Sequence, residues 1–129
     1  MTRILVVDDN ATERASLVAA LARPGRELAE AQDGAEALRR VLEAPPDLVI
    51  LDLRLPDASG VEIAGAIRAV ARTHRMPFVV VTAYHDAVAA LDPKRFGAAC
   101  VLTKPVTDAE LNQAVEHCLS APVESEHEL

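Results

Sequence analysis

Residues 48–63 read Leu-Val-Ile-Leu-Asp-Leu-Arg-Leu-Pro-Asp-Ala-Ser-Gly-Val-Glu-Ile. The run Leu48 to Leu51 is four branched apolar residues without polar alternation, the pattern of a short parallel strand buried on both faces. An acid, Asp52, follows it directly. Ser59 with Glu62 three residues later pairs an N-cap with its reciprocal acceptor, so a helix starts there. Ile63, Ile67 and Val70 then recur at helical spacing, as one face packed on a sheet requires.

The same unit repeats along the chain. Ile4 to Val7, Phe78 to Val81 and Ala99 to Leu102 are further apolar runs, and Glu27 to Ala31 alternates as a half-exposed edge strand would. Capping pairs recur at Asn10 with Glu13, Asp33 with Glu36, and Thr107 with Glu110. Leu17 and Leu21, then Ala37, Leu38 and Val41, mark the apolar faces of the helices between. Pro24-Gly25, Pro45-Pro46, Pro77 and Gly97 fall where elements should end. Five strands alternating with five helices, joined by right-handed crossovers, predict an α/β doubly wound fold. Its five-stranded parallel sheet would run in the order 2-1-3-4-5, with helices on both faces.

Composition narrows the function. The 129 residues suit one domain, and 50% are hydrophobic, so a single buried core is feasible. One Tyr, two Phe and no Trp leave no aromatic platform for single-stranded nucleic acid. A net charge of -7 repels phosphate backbones and anionic membranes. Cys100 and Cys118 lie in apolar stretches without metal-ligand spacing and read as free buried thiols, which fits a reducing cytoplasm. No signal peptide or membrane span is legible, so a soluble, cytoplasmic chain is expected. Residues 1–119 form the expected domain, and 120–129 an acidic, frayed tail.

The chemistry-bearing residues gather at one end of the predicted sheet. Asp8 and Asp9 follow the first strand, Asp52 the third, Thr82 the fourth and Lys104 the fifth. In a doubly wound sheet, ligands bind outside the carboxyl ends of the strands, at the switch point between strands 1 and 3. Each residue alone has a plain reading as a turn or cap former. Three carboxylates converging on one pocket, however, repel unless a cation neutralises them. A hard divalent ion such as Mg²⁺ takes oxygen ligands and phosphate oxygens. With Lys104 as a second cation and a carboxylate nucleophile, the set has the parts for phosphoryl transfer.

The fragments Val-Val-Asp8-Asp9, Ile50-Leu-Asp52-Leu-Arg54-Leu-Pro56-Asp-Ala-Ser-Gly60, Val81-Thr82-Ala83 and Lys104-Pro105, in this order and spacing, resemble the receiver domains of two-component response regulators. The resemblance covers residues 3 to 119 and implies a flavodoxin-like fold close to that of the chemotaxis regulators. By it, Asp52 is the phosphoacceptor. Asp8, Asp9, Asp52 and the backbone carbonyl of Arg54 would hold Mg²⁺, with Mn²⁺ as a substitute, and Asp8 would act mainly through metal-bound water. Thr82 and Lys104 would sense the phosphoryl group, and the Lys104-Pro105 bond would be cis. Arg54 and Tyr84 resemble positions that modulate dephosphorylation.

The phosphoryl donor implied is a histidine kinase or a histidine phosphotransfer protein, and the output a downstream protein or an attached output domain. Direct binding of nucleic acid or membrane by this domain is not expected. The fourth helix, fifth strand and fifth helix would form the output face, on which the chain could also pair with a second copy. The domain would catalyse only its own phosphorylation and dephosphorylation.

Three departures stand out against the family. Val101 replaces the usual switch aromatic of the fifth strand, Val106 replaces the Phe common after Lys-Pro, and Pro93 falls inside the expected fourth helix, which should be short, bent or mobile. Arg68, Arg72, His74 and Arg75 read as a solvated basic face near the end of the third helix. Two other readings are open. One is a receiver-like binding module that no longer switches by phosphorylation. The other is a haloacid-dehalogenase-like phosphatase with Asp8 as nucleophile, although Asn10 would be a poor general acid/base and Asp52 would have no role.

Overall fold

Each of the short apolar runs becomes a strand, and all strands pair in parallel in a single sheet. The computed structural model describes residues 1–57, 59–71, 76–83 and 98–120. The strands are β1 (Thr2–Val7), β2 (Arg26–Ala31), β3 (Leu48–Leu51), β4 (Phe78–Thr82) and β5 (Ala98–Thr103). The described helices are α1 (Ala11–Leu21), α2 (Gly34–Glu43), α3 (Gly60–Ala71) and α4 (Asp108–Ser120). The sheet order is β2-β1-β3-β4-β5, as the repeat predicted. Here α4 is the last helix expected from the sequence. The expected fourth, with Pro93, and Gly97, Tyr84, Arg72, His74 and Arg75 lie outside the described residues, as do residues 121–129 of the expected tail; Ser120, its expected first residue, instead ends α4.

The strands divide their side chains between two cores because successive residues point to opposite faces. Leu5, Val7, Val49, Leu51, Phe78 and Val80 pack with Ala37 and Val41 of α2 and Ile63, Ala64 and Ile67 of α3. Ile4, Val6, Leu48, Ile50, Val79 and Val81 pack with Leu21 of α1 and with Leu111, Val115 and Cys118 of α4. β2 lies at the sheet edge, and its strand residues before Ala31 are only partly covered or exposed, as its alternating pattern required.

All four capping residues read from the sequence precede their helices. Asn10 Oδ1 accepts from Glu13 N, Asp33 Oδ1 from Glu36 N, Ser59 Oγ from Glu62 N, and Thr107 Oγ1 from Glu110 N. At Ser59 and Thr107 the Glu side chain also accepts from the cap residue's own N–H, which closes the box. Buried Asn112 on α4 joins three elements: it accepts from Arg26 Nη1 at 2.7 Å and donates to the carbonyls of Ala20 and Asp108. Arg68 departs from the solvated face expected of it, since its guanidinium lies 4.7 Å from the centroid of the Phe78 ring and burial lowers its pKa. Among the described residues no helix is long and apolar enough to cross a membrane.

Candidate functional site

Register brings the site together. Val7 of β1 pairs with Leu51 of β3, and Thr82 of β4 with Thr103 of β5, so the residues after each strand emerge at one edge of the sheet. Hydrogen bonds carry the ladder one residue further. Asp8 N donates to Ala31 O, Asp52 N to Val7 O, and Lys104 N to Thr82 O. The backbone thereby fixes Asp8, Asp52, Thr82 and Lys104 before their side chains interact. Asp8, Asp52 and Thr82 are buried, and the Lys104-Pro105 peptide bond is cis.

Lys104 is the hub. Its Nζ donates to Asp8 Oδ2 at 2.9 Å, to Asp52 Oδ2 at 3.0 Å, and to Glu13 Oε1. Burial alone would lower the pKa of this ammonium, but the bonds to Glu13, Asp8 and Asp52 reverse that and hold it above the ordinary lysine value. Lys104 therefore stays charged throughout the neutral range. The remaining oxygens of the two buried acids accept backbone N–H groups: Asp8 Oδ1 from Asn10, and Asp52 Oδ1 from Arg54. Arg14 secures Asp8 from behind, with Nη1 on the Asp8 carbonyl at 2.7 Å and Nε on Glu30.

The loop after Asp52 is held equally closely. Arg54 and Ser59 form an antiparallel bridge, and Gly60 N donates to Leu53 O. A Cβ at Gly60 would sit 2.6 Å from Leu53 Cα and 2.9 Å from the Asp52 carbonyl oxygen, so only glycine fits without displacing the backbone of Asp52. Asp57 ties the same loop to α2: its two carboxylate oxygens accept from Gly34 N and Ala35 N.

Asp8, Glu13 and Asp52 each present a carboxylate oxygen within 4.8 Å of the others. Three carboxylates against one ammonium leave the pocket with a formal charge of about -2, and every donor is a hard oxygen, which fits a divalent cation of the Mg²⁺ type. Asp9, named with Asp8 from the sequence, is exposed and stands outside this trio. Arg54 is also exposed, and Val101 packs against the core on the α2 and α3 side. Sequence reasoning missed Glu13, which it read as the second half of a capping box. The missed signal was Asp8, two residues before Asn10: its carboxylate takes the Asn10 N–H that Glu13 would otherwise accept.

Comparison with known proteins matches residues 4–116 to the response regulator receiver domain family. Protein PilH of Pseudomonas aeruginosa is 31% identical over 93% of this chain and 99% of its own length. The transcriptional regulatory protein PrrA of Mycobacterium tuberculosis is 41% identical over 91% of this chain, which spans 49% of PrrA. A CheY-like receiver domain protein from Methanospirillum hungatei superposes with a TM-score of 0.85 at 26% identity, covering 98% of both chains. TrrA of Thermotoga maritima, crystallised in complex with Mg(2+)-BeF, gives a TM-score of 0.81 at 35% identity, over 92% of this chain and all of TrrA.

Proposed function

This chain belongs to the response regulator receiver domain family of two-component signalling, and we propose that it works as a phosphorylation switch in which Asp52 accepts a phosphoryl group from a phosphohistidine donor. The observation that carries the reading is the convergence of Asp8, Asp52 and Lys104 at the carboxyl ends of three strands, with Lys104 Nζ bonded to both acids. An Asp52 carboxylate oxygen attacks the phosphorus; the phosphorus–nitrogen bond to imidazole breaks, and its electron pair returns to the ring nitrogen. Asp9, Asp52 and the Arg54 carbonyl would hold Mg²⁺ directly, with Asp8 contributing mainly through metal-bound water. Mg²⁺ bound there supplies positive charge to the transferring phosphoryl oxygens.

The chain's own groups do the rest. Arg54 N–H holds one Asp52 oxygen and so orients the carboxylate. The Lys104 ammonium supplies a fixed positive charge beside the acceptor, and the Thr82 hydroxyl, at the end of a neighbouring strand, offers a bond to the attached group. That bond exists only after transfer, which suits a switch that biases a pre-existing equilibrium. TrrA, a relative that binds Mg(2+)-BeF, supports the same ligand class for this pocket. The donor would be a histidine kinase or phosphotransfer protein, and the readout a protein partner or output domain in the cytoplasm. PrrA, a transcriptional regulatory protein of which the matched span is 49%, supports the second arrangement. A phosphatase with Asp8 as nucleophile is not favoured, since residues 4–116 match the receiver family and Asn10 would be a poor general acid/base.

Intact-mass spectrometry after incubation with acetyl phosphate tests the assignment. Wild type should gain one phosphoryl group with Mg²⁺ and none with chelator, and Asp52→Asn should gain none. Full labelling of Asp52→Asn would place the acceptor elsewhere, and an unlabelled wild type that also fails to bind beryllofluoride would support a binding module without the switch.

A further inference from the structure

Glu13 is not needed where the sequence put it. Its N–H completes the first turn of α1 by donating to Asn10 Oδ1 at 2.9 Å. The returning half of a capping box would bring the Glu13 carboxylate to Asn10 N, but that N–H already donates to Asp8 Oδ1 at 2.9 Å. The carboxylate is thus left over from helix capping, and it bonds to Lys104 instead.

A lysine ammonium has three N–H donors and no more. Those of Lys104 are committed to Asp8, Asp52 and Glu13, so a phosphoryl oxygen on Asp52 gains a lysine donor only if one carboxylate lets go. The three differ in their freedom to do so. The Asp8 side chain is 1% exposed and held on its other oxygen by Asn10, and Asp52 carries the phosphoryl group itself. The Glu13 side chain is 49% exposed and can turn to water at little cost.

Building on the assignment of Asp52 as acceptor, we propose that Glu13 is a positioning residue that holds Lys104 in the unphosphorylated chain, competes with the phosphoryl group for it, and so sets the balance between cation and phosphoryl binding. The carboxylate strengthens the pocket's attraction for a divalent cation and opposes the arriving anion, through its own charge and through the donor it occupies. Removing its charge moves the two affinities in opposite directions, which loss of a merely structural contact does not do. For one unit charge at a half-exposed site, each change should be about 3- to 10-fold.

The experiment is calorimetric titration of wild type, Glu13→Gln and Glu13→Asp, first with Mg²⁺ alone and then with beryllofluoride at saturating Mg²⁺. Glu13→Gln should bind Mg²⁺ more weakly and beryllofluoride more tightly, and Glu13→Asp should return both affinities toward wild type. If the Gln variant matches wild type in both titrations, or if both affinities fall together, the competition does not operate. A wild type that takes up neither beryllofluoride nor a phosphoryl group would overturn the receiver assignment itself, whereas a wild type that binds both beside an unchanged Gln variant would overturn only the role of Glu13.

Discussion

Lys104 compensates three carboxylates, of which Asp8 is almost wholly shielded from water. Its removal leaves the buried Asp8 and Asp52 charges with their backbone N–H bonds but without this cation, and that loss exceeds what the intact pair contributes. Lys104→Met should therefore cost about 2–3 kcal/mol in urea unfolding near neutral pH, a value reduced from the fully buried case because Glu13 is half in water. Added Mg²⁺ should recover more stability in the variant than in wild type, because the variant pocket has only the metal to neutralise it. A loss within experimental error of zero would mean that water, not Lys104, screens these acids. Of the two thiols expected to be buried, Cys118 is, whereas Cys100 is only half-buried. Cys100 and Cys118 are free, and burial, followed by the proximity of Cys100, pushes Cys118 up to about 11. Cys118 is thus a protonated core residue at neutral pH and a poor nucleophile.

At the level of elements, the start of α2 shows how the functional loop is fastened. Its first three N–H groups have no partner within the helix. Asp57 takes those of Gly34 and Ala35, and Asp33 takes that of Glu36. Two of the three partners thus come from a single carboxylate of the loop that follows Asp52. The bonds from Gly34 and then Ala35 hold the Asp57 carboxyl below its ordinary value. A folded-state pKa lower than the unfolded one means the contribution is complete above the unfolded value, declines as pH falls through the folded value, and is absent below it. Asp57→Asn mimics the protonated acid. Its stability should fall short of wild type near neutral pH, and the gap should close as pH falls below the ordinary carboxylate range, followed by thermal unfolding across that range. A gap independent of pH would show that shape, not charge, makes the contact.

For the whole molecule, the decisive feature is that both cores share one sheet. Ile67 belongs to the core under α2 and α3, and Leu111 to the core under α1 and α4. Both are fully buried, so Ile67→Ala and Leu111→Ala should each cost about 2–5 kcal/mol. Neither half can keep its strands if the other is lost, because alternate residues of β1, β3 and β4 serve opposite faces. Urea unfolding followed by far-UV circular dichroism and by amide exchange in the strands should show one coincident transition in wild type and in both variants. Separate transitions for the two faces would mean that the sheet does not couple them.

Much of this was legible in the chain itself because the signals are local. Four apolar runs and one alternating run specify the strands, and Asn10, Asp33, Ser59 and Thr107 mark the starts of the helices they cap. The crossover rule orders the strands, and that order gathers Asp8, Asp52, Thr82 and Lys104 at one edge. What the local code could not settle was how polar groups share partners across the fold. Glu13 reads as a cap until Asp8 is seen to occupy Asn10 N. Arg68 reads as a solvated cation until Phe78 lies beneath it, and Asp57 has no role in the sequence reading until its carboxylate accepts from Gly34 and Ala35 at the start of α2. Periodicity and capping act within a few residues and survive in one dimension. A hydrogen-bond donor or a patch of buried ring goes to whichever group the packing brings nearest, and only the tertiary structure decides which group that is.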